Sequence, residues 1–69
     1  MGYMLKEDEA KKIKAKYRNS YIANEIGISQ TYVSIILNRK RHIPKRLAYL
    51  FTKVIDSESE INDLFEYID

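Results

Sequence analysis

Gly27 is the residue that most narrows what this chain can become. It stands between two short apolar runs with helical spacing: Ile22, Ala23 and Ile26 before it, Val33, Ile36 and Leu37 after it. Apolar residues three and four positions apart mark one face of a helix. A glycine directly after Ile26 tolerates the left-handed conformation that closes many helices. Ile28 is an apolar residue in the turn, and Ser29 is placed to cap the next helix. The spacing therefore predicts two helices, about Ser20–Ile26 and Gln30–Asn38, crossing steeply around a tight turn. Ala23 is small, as needed where the two pass close together.

The same period extends to nearly the whole chain, and no segment alternates like a strand. A first helix is expected from about Lys6 to Tyr17, with Glu7, Asp8 and Glu9 in its first turn and Lys11, Lys12, Lys14 and Lys16 after them. Acid first and base last suits the helix dipole. Ala10, Ile13 and Tyr17 give this helix a thin apolar stripe. Arg18-Asn19-Ser20 breaks the pattern and offers Asn19 or Ser20 as an N-cap. Pro44 fits the first turn of a fourth helix, where its missing N–H costs nothing. Leu47, Ala48, Leu50, Phe51, Val54 and Ile55 make that helix the most apolar. After Asp56-Ser57, a fifth and acidic helix is predicted over about 58–68, with Ile61, Leu64, Phe65 and Ile68 on one face. The expected fold is all-α: a compact five-helix bundle forming a single domain over residues 1–69.

Charge is divided unevenly along the chain. Residues 1–46 hold eleven Lys and Arg against four Asp and Glu, a surplus of +7, and residues 47–69 hold one Lys against six acids, a surplus of −5. This asymmetry suits an anion-binding first part and an acidic tail, or simply two solvated helix faces of opposite sign. The absence of cysteine removes a disulfide framework, a Cys-based zinc site and a thiol nucleophile, and the single His42 cannot build a His-rich metal site. No nucleophile–base pair and no Gly-rich phosphate loop is evident, so neither an enzyme nor a cofactor is expected. No apolar stretch approaches the ~20 residues of a membrane span. Nor does the N-terminal segment carry the apolar core of a signal peptide, so a cytoplasmic location is expected.

Over Ile22-Ala23-Asn24-Glu25-Ile26-Gly27-Ile28-Ser29-Gln30 the chain resembles the Cro/repressor (Xre-like) family of helix-turn-helix DNA-binding proteins. The resemblance extends over about residues 6–56 and is strongest over Ser20–Arg41. It implies a five-helix, lambda-repressor-like domain that docks its third helix in the major groove of double-stranded DNA. The family's base-reading positions fall on Gln30, Thr31, Ser34 and Ile35. Gln can grip adenine N6 and N7 with a paired donor and acceptor, and Thr31 brings a hydroxyl and a methyl. Ile35 could meet a thymine methyl, pack sideways or sit at a dimer contact. With no Arg on the reading helix, an A·T-leaning half-site is expected.

Phosphate contacts are implied for Asn19, Ser20 and Tyr21 at the start of the second helix, and for Tyr32. Asn38, Arg39, Lys40, Arg41, His42, Lys45 and Arg46 form the other flank, where cations would neutralise phosphate. The family's usual Gln at the start of the second helix is replaced here by Asn19 or Ser20. The four lysines of the first helix read as a solvated face with long-range attraction for DNA. The apolar strip Ile61, Leu64, Phe65 and Ile68 can serve the domain's own core, a homodimer contact, or a docking strip for another protein.

Two functions compete. The first is a transcriptional repressor of bacterial, phage or mobile-element type, acting as a homodimer on an inverted repeat with half-sites ~34 Å apart. The second is a protein-interaction module on the same scaffold, such as an antirepressor, inhibitor or antitoxin-like partner. The acidic C-terminal helix is the feature that favours the second.

Overall fold

The computed structural model describes residues Met1–Asp69. Its elements in chain order are strand β1 (Gly2–Leu5), helices α1 (Glu7–Lys16), α2 (Asn19–Ile26), α3 (Gln30–Leu37), α4 (Lys45–Ile55) and α5 (Ile61–Leu64), and strand β2 (Phe65–Ile68). The first four helices lie where apolar spacing puts them. Helix α1 starts behind Lys6, and Tyr17 closes it by donating its N–H to the Ile13 carbonyl. The Tyr17 hydroxyl then donates to the Ile55 carbonyl at 3.2 Å, which joins the ends of α1 and α4. Pro44 sits one position earlier than expected, as the N-cap of α4 rather than inside its first turn. Arg18, not Asn19 or Ser20, is the N-cap of α2, and both of the latter lie within its first turn.

The largest departure is at the two ends of the chain. The fold is mixed α/β, not all-α: β1 and β2 pair antiparallel, with Gly2 opposite Ile68, Tyr3 opposite Tyr67, Met4 opposite Glu66 and Leu5 opposite Phe65. The expected fifth helix is a single turn that stops at Leu64, because Phe65 adopts an extended backbone, φ −116° and ψ 155°. Phe-Glu-Tyr-Ile is rich in aromatic and β-branched residues, which fit a pleated surface better than a helix end. Pairing puts Leu5 and Phe65 side by side on the inner face, both buried. The Phe65 ring meets that of Phe51 edge-to-face at 5.7 Å, so the sheet is fastened to the most apolar helix. At the junction, the Lys6 N–H donates to the Leu64 carbonyl at 2.9 Å.

The other side of β1 is also used. Tyr3 and Ile43 exchange backbone hydrogen bonds, N–H to O at 2.8 and 2.9 Å, which pins the α3–α4 loop to the sheet. Gly2 allows this approach: a Cβ there would lie 2.8 Å from the Cβ of His42 and 2.9 Å from the Ile43 carbonyl oxygen.

One core joins helices and sheet. Ala10, Ile13, Ile22, Ala23, Val33, Ile36, Leu37, Ile43, Ala48 and Phe51 are buried with Leu5, Leu64 and Phe65. Thr52 is the buried polar side chain of the core, and its hydroxyl donates to the Ala48 carbonyl one turn back at 2.8 Å. No buried side-chain nitrogen or oxygen lacks a partner. No helix is long and apolar enough to cross a membrane.

Candidate nucleic-acid interface

The α2–α3 unit is built by local rules. Gly27 closes α2 in the left-handed region, φ 88° and ψ 35°, and donates its N–H to the Ala23 carbonyl. Ile28 comes next, donating to the same carbonyl at 3.1 Å. Ser29 then caps α3, its hydroxyl accepting from the Tyr32 N–H at 3.0 Å. Val33, Ile36 and Leu37 are buried against α2 and the rest of the core. That fixes the rotation of α3 and leaves the opposite arc outward.

None of the four candidate base-reading residues belongs to the buried core. Gln30 and Thr31 are exposed in the first turn, while Ser34 and Ile35 are half-buried further along. The exposed pair lies directly after the Ser29 cap, at the end of α3 where N–H groups and the dipole favour negative charge. Tyr32 is half-buried and packs against the core, so its body serves structure. Ser34 is tied to Asn38, whose side-chain amide donates to the Ser34 carbonyl at 2.9 Å and to its hydroxyl at 3.2 Å.

The flanking residues divide into two sets. Lys40, Arg41, Lys45 and Arg46 are exposed and free of any ion pair. Arg46 lines a shallow apolar groove of about 240 Å³ with Ile26, Ile28, Pro44, Leu47 and Leu50, so the start of α4 lies beside the turn that leads into α3. The second set is engaged elsewhere. Asn38 accepts from the Lys14 ammonium at 2.6 Å. Arg39 donates from Nε to the Leu5 carbonyl at 2.8 Å and faces Glu66 at 3.3 Å, so its guanidinium belongs to the sheet. His42 is half-buried beside Gly2.

On the opposite flank, Asn19 and Ser20 are half-buried in the first turn of α2, whose N-terminus no side chain caps. Tyr21 is 46% exposed, and its ring stacks on Tyr17 at 5.9 Å. Its outward position is therefore held from behind.

Lys14 alone among the lysines of α1 reaches this surface through a hydrogen bond to Asn38. Its bond to Asn38 joins positions 24 apart, and no local pattern marks it. In the C-terminal strip, Leu64 and Phe65 lie inside the domain's own core, Ile61 packs partly against it, and Ile68 is half-buried at the end of β2. They do not form one helix face. No group of three His, Cys, Asp or Glu side chains comes together as a metal site would require. Comparison with protein-family models, with curated proteins and with solved structures returns no match to the chain.

Proposed function

We propose that the chain is a sequence-specific, double-stranded DNA-binding transcriptional regulator, a Cro-like repressor that acts as a homodimer on an inverted repeat. One observation carries the reading: a short helix with a Ser29 cap holds Gln30 and Thr31 outward, with four unpaired cations after it. Gln30 offers the donor–acceptor pair that matches adenine in the major groove, and Thr31 a methyl for thymine. Lys40, Arg41, Lys45 and Arg46 supply phosphate neutralisation, which makes binding steeply salt-dependent. Asn19, Ser20 and Tyr21 hold the backbone on the other side. Repression by promoter occlusion and a cytoplasmic location go with this reading. The interaction-module alternative loses its main support, because the apolar strip expected on an acidic helix is divided between core and sheet.

Selection of binding sites from random duplex DNA tests the proposal. The expected product is an enriched palindrome with A·T-leaning half-sites. Failure to enrich any sequence overturns the DNA-reading function, and enrichment of G-rich half-sites overturns the role given to Gln30.

A further inference from the structure

We infer that Arg39 is a positioning residue that locks the far end of α3 to both strands of the sheet and so sets the pitch of the reading face. The inference rests on the DNA-reading role proposed for α3. Arg39 has φ 56°, the left-handed region that favours glycine. It holds the position just beyond the Asn38 C-cap. Its N–H donates to the Ile36 carbonyl at 3.1 Å and the Lys40 N–H to the Ile35 carbonyl at 3.1 Å. A glycine usually closes a helix in this way.

The arginine side chain gives the strained backbone its use. Nε donates to the Leu5 carbonyl of β1 at 2.8 Å, and Nη2 lies 3.3 Å from Oε2 of Glu66 on β2. Leu5 and Glu66 sit at adjacent positions of the strand register. A planar guanidinium with its donors in a fixed fork reaches both strands at once, whereas a lysine ammonium is a single point. The same residue thus holds the last turn of α3 by its backbone and the sheet by its side chain. Ile35, one of the two carbonyl acceptors, is itself a candidate base-reading residue, so a loosened last turn moves the reading face.

Hydrogen exchange and DNA binding together test this. Arg39→Gly keeps the left-handed backbone and removes the latch; Arg39→Lys keeps the charge and removes the fork. Both variants should exchange the Arg39-position and Lys40 amide protons at least tenfold faster than wild type. Both should also lower the ratio of specific to non-specific DNA affinity at least fivefold, with the salt slope unchanged. If Arg39→Lys restores wild-type discrimination and Arg39→Gly lowers the salt slope by about 0.9, Arg39 is a phosphate contact and the latch is overturned. Unchanged exchange in both variants overturns it as well. A wild-type chain without sequence preference overturns the proposed function alone, since the exchange measurement still decides the latch. If Arg39→Gly does not fold, Arg39→Lys carries the test.

Discussion

The two ends of α3 are built in opposite ways. Its first turn is secured locally by Ser29, whose hydroxyl accepts from the Tyr32 N–H and whose carbonyl accepts from the Val33 N–H, and is then left open with Gln30 and Thr31 exposed. Its last turn is held by three separate parts of the molecule. Asn38 returns to Ser34 and receives Lys14 from α1, while Arg39 reaches Leu5 on β1 and Glu66 on β2. A contact surface needs side chains free to meet a partner, and it needs a backbone that does not move when they do. Here the two requirements fall on opposite ends of one eight-residue helix.

Damage to the support of the held end should cost the most, and Phe65→Ala should have the largest effect. It removes a fully buried ring from between β2 and α4, at a cost of about 3–5 kcal/mol. Stability for so small a domain lies toward the low end of about 5–15 kcal/mol. Urea unfolding followed by circular dichroism should therefore show most of the stability gone and the midpoint moved close to zero denaturant. Gln30→Ala tests the open end. It should cost about 1–3 kcal/mol of discrimination at the adenine position while leaving the urea midpoint unchanged. A fall in stability with no change in binding would invert the assignment of the two ends.

Arg39→Ala should destabilise by about 1–3 kcal/mol, since it removes the charge-assisted bonds to Leu5 and Glu66 while keeping the wild-type backbone strain. Arg39→Gly should cost less, because glycine relieves about 1 kcal/mol of backbone strain there. Paired urea titrations would show the order. Ser29→Ala should cost about 1 kcal/mol, the usual worth of an N-cap, and should loosen the open end without touching the sheet.

The smallest effect is at Asp56, away from both ends. Its carboxylate accepts from the Glu58 N–H at 3.0 Å and the Ser59 hydroxyl at 2.9 Å. The Glu58 and then the Ser59 bond hold its pKa below the ordinary value of 3.8. A depressed carboxylate contributes stability above its unfolded value and loses it as pH falls through the folded one. Wild type and Asp56→Asn should therefore differ slightly at neutral pH and converge in thermal melts as the pH falls below the ordinary carboxylate range.

The open end was readable in the sequence and most of the held end was not. Gly27 in its left-handed turn, Ser29 as cap, and Val33, Ile36 and Leu37 inside are all dictated by neighbours within one helical turn. The sheet is not dictated by neighbours. Tyr3 and Tyr67 pair across nearly the entire chain, and neither four-residue strand is long enough to show alternation by itself. Ile61, Leu64, Phe65 and Ile68 satisfy a helical period in the sequence alone. What overrides it is the partner strand, which gives Phe65 a better burial as part of a sheet. Charge alone places Arg39 in a basic run, because its side-chain partners are 34 and 27 positions away. The free cations Lys40, Arg41, Lys45 and Arg46 were readable because nothing distant claims them.

The pairing of residues 2–5 with residues 65–68 also bears on the order of events in folding. Joining segments so far apart carries a large loop-closure entropy, and contacts of this kind slow folding. Helices α1 to α4 can form and collide through nearer contacts, leaving sheet closure to a late stage. Arg39 finds its two acceptors only once both strands are in place. The last turn of α3 is therefore among the last parts of the molecule to become rigid, although it belongs to one of the most locally encoded helices.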